Sequence, residues 1–181
     1  MKYLLALAFL FASLAQAADL PVVPKVDLER YAGRWYEIAR LPHRFQEQCV
    51  GDVTAEYARR EDGRIAVVNR CRRADGSFDQ AQAVARVVDP QTNAKLEVSF
   101  LPAWLNWLPF WADYWVIALA PDYSYAVVGH PTREYLWVLS RTPQMPAETY
   151  TALLAQIEKL GYDPQRLRKT AQGQPTDPPQ K

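Results

Sequence analysis

Side chains that could perform acid–base or nucleophilic chemistry are sparse in this chain. Its two histidines, His43 and His130, lie in separate connections between predicted strands. The motifs H-x-x-x-H, G-x-S-x-G and C-x-x-C, which hold a metal or activate a nucleophile, are absent. A Ser-His-Asp triad would require three residues distant in sequence to meet in the fold, and no local motif indicates this. The sequence therefore predicts a protein that is not an enzyme and has no metal or cofactor, with a haem or metal ligand at His43 as a minor alternative.

The charge balance points away from nucleic acid. The formal net charge at pH 7 is +1, whereas domains that bind nucleic acid carry a clustered basic excess. Hydrophobic residues make up 49% and charged residues 23% of the chain, which is the mixture of an ordinary globular protein. The length of 181 residues suits one domain, and we expect no nucleic-acid partner.

Residues 1–17 have the organisation of a secretory signal peptide. Lys2 supplies the positive charge, residues 3–12 are an apolar run, and residues 15–17 (AQA) form a small-x-small cleavage site. The run is short for a bilayer, so an anchoring helix is the weaker alternative. We predict an exported protein, periplasmic or secreted, in which residues 18–170 form the domain and the Pro- and Gln-rich residues 171–181 form a disordered tail.

The sequence contains two cysteines, Cys49 and Cys71, and export would place them in an oxidising compartment. In an oxidising compartment we expect such a pair to form one disulfide, and two buried free thiols are the alternative. No cysteine follows the apolar run of the signal peptide. Attachment through a lipidated N-terminal cysteine is therefore not expected.

Short β-rich segments separated by turns occupy most of the domain. Asp62-Gly63 between two such segments is a strong hairpin signal. Apolar residues at helical spacing occur over 147–161, with Gly161 as a candidate C-cap, and residues 165–169 are a candidate edge strand. The eight predicted strands are 33–41, 52–60, 64–71, 80–88, 94–100, 113–120, 125–130 and 135–141.

Eight antiparallel strands in simple succession would leave two unpaired edges. Closing the sheet removes both edges, and eight strands enclose an interior wide enough for side chains or one small ligand. We therefore predict an all-β protein, an eight-stranded antiparallel up-and-down β-barrel with one C-terminal α-helix packed outside. A β-sandwich is the alternative.

Three motifs occupy fixed places in this strand pattern. "GRWYEIAR" opens the first strand after a short helical turn, "DYW" (113–115) enters the sixth strand, and "YLWVLSRT" carries Arg141 at the end of the eighth. Together they resemble the lipocalin family over residues 26–169, in particular the bacterial outer-membrane subfamily, which is similar to apolipoprotein D and the plant temperature-induced lipocalins. The resemblance implies a calyx, closed at one end and open at the other, that binds small hydrophobic molecules.

The resemblance also assigns positions within the calyx. Gly33, Trp35 and Arg141 are expected to seal its floor, with the Arg141 guanidinium stacked on the Trp35 ring. Glu37 shares the parity of Trp35 and is expected to point inward beside a partner that the sequence does not identify. Alternation of side chains along the strands predicts ten ligand-binding residues. They are Tyr57, Val67, Asn69, Leu96, Val98, Phe100, Tyr114, Val116, Tyr135 and Trp137, of which Tyr57, Asn69 and Trp137 match pocket positions of apolipoprotein D-like members.

The segment 101–115 holds four of the six tryptophans, and the strand order places residues 101–112 of it at the open end. Pro102 and Pro109 interrupt it, so it is not a spanning helix. Three interpretations remain open: a lid on the calyx, a contact with a membrane surface, or a contact with a protein, including a second copy of the chain. The side chains concerned are Trp104, Trp107, Leu108, Phe110 and Trp111.

Cationic side chains and the two cysteines are expected at the same end. A Cys49–Cys71 disulfide would steady the rim. The cations form either a solvated face or a contact for a carboxylate or phosphate headgroup; they are Arg40, His43, Arg44, Arg72, Arg73 and Arg133. The predicted function is binding, storage or transport of a fatty acid, lysophospholipid or similar amphiphile in the cell envelope, with peripheral contact to a membrane such as the outer membrane. A lipid-modifying enzyme and a protein-interaction module are the alternatives.

Overall fold

The computed structural model describes residues 19–105 and 107–173, and the predicted signal peptide lies outside them, as does most of the predicted tail. These described residues form a closed antiparallel barrel with a short additional strand and two α-helices. In chain order the elements are α1 (Leu28–Tyr31), β1 (Gly33–Arg40), β2 (Gly51–Arg59), β3 (Ile65–Arg72), β4 (Phe78–Val87), β5 (Lys95–Ser99), β6 (Ala112–Leu119), β7 (Tyr125–Gly129), β8 (Leu136–Ser140), α2 (Ala147–Lys159) and β9 (Arg168–Lys169).

Closure of the barrel depends on β1. The strands from β2 to β8 pair in sequence order, β8 pairs with β1, and β1 also pairs with β2. The predicted up-and-down barrel is therefore confirmed, and the β-sandwich is wrong. All eight predicted strands are present within two residues of their expected bounds, and the candidate edge strand is β9, which pairs with β1 at Ala39 and Arg40.

Hydrophobic side chains pack in two layers, one on each face of the barrel wall. Along β8, Trp137 and Leu139 pack inside the barrel, whereas Leu136 and Val138 pack outside, as the alternation of a strand requires. The outer layer is covered by α2, as predicted, and each of its fully buried aliphatic side chains contributes about 1.5–3 kcal/mol. Gly161 follows the helix with φ +86°, a conformation that glycine adopts without a steric penalty.

The chain continues along the barrel beyond β9. The backbone N–H of Asp52 donates to the carbonyl of Ala171, and the amide of Gln172 donates to the carbonyl of Val53 at 2.9 Å. A Cβ on Gly51 would lie 2.6 Å from the Ala171 carbonyl oxygen, so this crossing requires glycine. The backbone N–H of Gly173 donates to the Asp52 carboxylate, so contacts with the barrel extend three residues past the boundary predicted at residue 170.

Candidate ligand-binding site

The closed end of the barrel is built from α1, the start of β1 and the end of β8. Trp35 is fully buried, and its indole N–H donates to the carbonyl of Tyr31 at 2.8 Å. The guanidinium of Arg141 lies 3.8 Å from the centre of the Trp35 ring and donates to two carbonyls, those of Arg30 and Arg34. Gly33 has φ +90°. These residues close the floor with a cation over an aromatic face and two backbone hydrogen bonds.

Above the floor, three tyrosine hydroxyls meet inside the barrel. The Tyr114 oxygen lies 2.8 Å from the Tyr31 oxygen and 2.9 Å from the Tyr57 oxygen. Burial raises the pKa of all three phenols, that of Tyr57 to about 12, so all three are neutral at pH 7. Tyr57 and Tyr114 were predicted lumen residues, whereas Tyr31 was missed because it belongs to a single helical turn outside the strand pattern.

A small cavity adjoins these tyrosines. Its volume of about 10 Å³ is enough for roughly one water molecule, so the lower calyx is filled by side chains in this conformation. Five predicted residues border it, namely Tyr57, Leu96, Val98, Tyr114 and Val116; the others are Val26, Leu28, Tyr31, Ile65 and Ala85. Val67 is buried in the same core, and Asn69 is half-buried on the inward-facing row of β3.

Nearer the open end, a β-bulge changes which side chains of β1 point inward. Glu37 pairs with Leu139, Ala39 with Val138 and Arg40 with Trp137. On β8, Val138 packs outside the barrel, whereas Trp137 and Leu139 pack inside. Arg40 pairs with Trp137, so after the bulge at Ile38 it points toward the interior. Arg40, predicted as one of the cations at the open end, therefore points into the barrel and is only 15% exposed, because the alternation of side chains does not continue through a bulge.

Glu37 and Arg40 form a buried ion pair. Their side chains are 3% and 15% exposed, and the Arg40 guanidinium lies 2.9 Å from the Glu37 carboxylate. The same carboxylate accepts from the amide of Gln46 at 2.9 Å and from the hydroxyl of Thr170. Gln46 in turn accepts from the indole N–H of Trp137 at 3.1 Å. The inward orientation predicted for Glu37 agrees with this placement, and its partners are Arg40, Gln46 and Thr170.

His43 lies against three aromatic rings at the same level. Its ring centre is 5.3 Å from that of Trp137 and 5.8 Å from those of Tyr135 and Phe45. Both ring nitrogens are shielded from solvent and make no hydrogen bond within the described residues. Burial, followed by the charge of Arg40, lowers the pKa of His43. Tyr135 stacks on Trp137 with 6.1 Å between ring centres, so both of these predicted residues contribute to the upper wall.

The rim of the open end is formed by the connections β1–β2, β3–β4, β5–β6 and β7–β8. In the β5–β6 connection Trp104, Trp107 and Phe110 are 74%, 78% and 65% exposed. They are not folded over the calyx, so the lid interpretation does not describe these three side chains. Leu108 is half-buried, and Trp111 lies under the guanidinium of Arg86 at 4.1 Å. None of the helices in residues 19–105 and 107–173 has the length and apolarity to span a membrane.

Phe100 does not lie in the lumen as predicted. Strand β5 ends at Ser99, which is itself buried, and Phe100 follows it with 55% exposure. Since the alternation of side chains holds only within a strand, extending it past Ser99 gave the wrong face. Phe100 belongs to the rim.

Most of the predicted rim cations already contact protein groups. Arg72 pairs with Asp52, and Arg73 pairs with Asp79. Arg133 donates to the carbonyl of Leu160 at the end of α2, and Arg44 is exposed over the Phe45 ring. The predicted disulfide is confirmed, with 5.5 Å between the Cα atoms of Cys49 and Cys71. It joins the β1–β2 connection to the end of β3.

Comparison with known proteins identifies the family of this barrel. A family model described as a lipocalin-like domain matches residues 26–172. The chain belongs to the lipocalin family. Temperature-induced lipocalin-1 of Arabidopsis thaliana is 42% identical over 161 residues, covering 88% of this chain and 86% of that one. The outer membrane lipoprotein Blc of Escherichia coli (strain K12) is 42% identical over 143 residues, covering 78% and 77%.

More distant lipocalins share the fold. Mouse (Mus musculus) apolipoprotein D is 34% identical over 168 residues, covering 88% of this chain and 84% of that one. Insecticyanin from the tobacco hornworm Manduca sexta superposes with a TM-score of 0.66 at 20% identity, covering 87% of each chain. Apocrustacyanin C1 superposes with a TM-score of 0.63 at 17% identity, covering 82% of this chain and 81% of that one. Lipocalins in general bind small hydrophobic ligands rather than catalyse reactions.

Proposed function

We propose that this lipocalin binds, stores or transports a fatty acid, a lysophospholipid or a similar amphiphile in the cell envelope. The observation that carries the proposal is the polarity gradient along the calyx. Its lower part is lined almost wholly by aliphatic and aromatic side chains, and its upper part holds Trp137, Gln46 and the Glu37–Arg40 pair. An apolar cup with a few placed polar groups suits a molecule with one long apolar part and one polar end.

Entry of such a ligand requires movement of side chains, because the lower cavity holds only about 10 Å³. Trp137 is well placed to move, since it is half-buried and held by Gln46, a residue of the β1–β2 connection rather than of a strand. A shift of this connection would open the path between His43 and the barrel wall. We expect ligand binding to change the environment of Trp137.

Titration of tryptophan fluorescence with fatty acids and lysophospholipids tests the binding function. We expect saturable binding at one to one, weakened by Trp137→Ala. Trp115→Ala is the matched control, because Trp115 packs on the outer face of the barrel, with Lys95 over its ring at 4.2 Å. Equal effects of the two substitutions, or no binding across the panel, would contradict the proposal. Recovery of unchanged ligand after incubation separates a carrier from a lipid-modifying enzyme.

The exposed aromatic rim suggests peripheral docking on a membrane. Tryptophan suits the bilayer interface, and full burial of each large apolar side chain contributes about 1.5–3 kcal/mol. We expect vesicle binding to fall in the variant Trp104→Ser/Trp107→Ser/Phe110→Ser. Val88→Ser is the control, because Val88 is an apolar side chain that is 52% exposed beyond the end of β4, at the floor. A discrete lipid-free dimer or complex that the triple variant abolishes, with vesicle binding unchanged, would favour a protein contact instead.

We place the protein outside the cytoplasm, in the periplasm or secreted. The signal-like residues 1–17 and the disulfide support this location. Fractionation of cells that express the full chain tests it. Retention of an uncleaved chain with reduced cysteines in the cytoplasm would contradict it.

A further inference from the structure

A chain of tyrosine hydroxyls crosses the lumen of the calyx just above its floor. Tyr57 lies on β2 and Tyr114 on β6, which are four places apart in a closed ring of eight strands and therefore face each other. The hydrogen bond of 2.9 Å between their oxygens thus spans the lumen. Tyr31 extends the chain from the floor, at 2.8 Å from the Tyr114 oxygen.

The hydroxyl chain has one O–H hydrogen available to a further acceptor. Three tyrosines supply three O–H hydrogens, and two hydrogen bonds join them, so one hydrogen is unused whichever way the bonds run. Among the described residues, these three hydroxyls make no hydrogen bonds apart from the two that join them. Tyr31 and Tyr57 are 5% and 8% exposed. The adjoining cavity has room for about one water molecule, so a single oxygen atom of a ligand can occupy it and accept the available hydrogen.

The surroundings restrict the chemistry of that partner. Apart from the three tyrosines, the cavity beside them is lined by seven aliphatic side chains, and no cationic side chain is among its described lining residues. A carboxylate placed there would be buried without a counter-charge, which is strongly unfavourable. An uncharged oxygen that accepts one hydrogen bond, in a ketone or an alcohol, meets the requirement. The tyrosines remain protonated donors at neutral pH because burial raises the pKa of each.

We propose that the hydroxyl chain of Tyr31, Tyr114 and Tyr57 is a second polar subsite, at the deep end of the calyx, which donates a hydrogen bond to an uncharged oxygen on the inserted end of the ligand. The preferred ligands are then amphiphiles that carry a hydroxyl or keto group at the end remote from the head. The inference rests on the proposed lipid-binding function, and it names the ligand class more narrowly. An oxygen that takes the unused hydrogen leaves both existing tyrosine bonds intact.

A matched pair of ligands tests the proposal on the full mature chain. Hexadecanoic acid and 16-hydroxyhexadecanoic acid differ only at the inserted end. In a wholly apolar calyx the additional hydroxyl would weaken binding because it would be buried without a partner. With a donor present, we expect 16-hydroxyhexadecanoic acid to bind about 2- to 10-fold more tightly than hexadecanoic acid, the range that one net hydrogen bond gives.

The variant must remove all three hydroxyls. A single Tyr57→Phe substitution leaves two O–H groups and one bond, so one donor would still be unused. We expect Tyr31→Phe/Tyr57→Phe/Tyr114→Phe to reverse the preference, while its affinity for hexadecanoic acid stays within about 2-fold, since apolar groups of the same shape replace both partners of each bond. The control is Tyr36→Phe/Tyr125→Phe/Tyr150→Phe, three tyrosines of the outer face or its margins.

An infrared measurement gives an independent readout. The ketone carbonyl of ¹³C-labelled 15-oxohexadecanoic acid should absorb at lower wavenumber when bound to the wild type than when bound to the triple Phe variant. Binding of hexadecanoic acid without preference for the oxygenated acids, and without the infrared shift, would overturn this inference and leave the proposed function standing. Failure of all three acids to bind would overturn both.

Discussion

Loss of the Glu37 carboxylate from its buried pair with Arg40 should destabilise the fold far more than loss of a carboxylate from an exposed pair. Glu37→Gln removes one charge and leaves the Arg40 guanidinium buried without a counter-ion. Removing one partner of a buried pair costs about 3–5 kcal/mol. The Gln46 amide and the Thr170 hydroxyl, which also donate to this carboxylate, lose their charged acceptor in the same step.

The same substitution in an exposed pair provides the comparison. Arg86 and Glu97 approach to 2.6 Å, but their side chains are 49% and 25% exposed. Exposed pairs contribute about 0.2–1 kcal/mol, so Glu97→Gln should cost less than about 1 kcal/mol. The two variants change the same atoms, and only the surroundings differ.

Urea unfolding at pH 7 measures the difference. With an m-value of about 2 kcal/mol/M, Glu37→Gln should lower the midpoint by about 1.5–2.5 M and Glu97→Gln by less than about 0.5 M. The double variant Glu37→Met/Arg40→Met should be more stable than Glu37→Gln, because no unpaired charge remains buried. Equal midpoints for Glu37→Gln and Glu97→Gln would refute the reasoning.

Two further predictions concern the rim and the hydroxyl chain. Cys49→Ser/Cys71→Ser releases a link between residues 22 apart in sequence and should lower the free energy of unfolding by about 3 kcal/mol, measured by urea unfolding; a loss below about 1 kcal/mol would contradict it. Burial raises the pKa of Tyr57 from 10.0 to about 12, so the protonated form favours the folded state. This stabilisation is complete below pH 10 and is lost as the pH rises toward about 12. Alkaline titration at 295 nm should therefore show late tyrosine ionisation that coincides with unfolding, and ionisation of every tyrosine near pH 10 in the folded protein would contradict it.

Local sequence patterns predicted the wall of the barrel well and its interior less completely. The turn at Asp62-Gly63 and the alternation within strands located all eight strands, and the Trp35 and Arg141 motifs indicated which end is closed. The pattern failed where a strand is irregular or has ended. The bulge at Ile38 reverses the faces of Ala39 and Arg40, and Phe100 follows the last residue of β5.

The polar contacts of the interior depend on residues that no strand pattern connects. Glu37 was expected to need a partner, but Thr170 lies 133 residues away and Gln46 comes from a 3₁₀ turn at Arg44–Gln46. Tyr31 reaches Tyr114 across 83 residues. Such contacts arise only when the barrel closes, so their partners could not be assigned from local periodicity.

The central position of β1 has a consequence for the order in which the chain folds. This first strand pairs with β2 on one side and with β8, from the far end of the sequence, on the other. Two side-chain contacts of equally long range support this closure: Arg141 donates to the carbonyl of Arg34 across 107 residues, and Thr170 donates to the Glu37 carboxylate across 133. Hairpins such as β2–β3 form between neighbours, whereas contacts of such long range make folding slow, on the scale of milliseconds to seconds. Docking of β8 against β1, which closes the barrel and completes its floor, should therefore be a late step of folding.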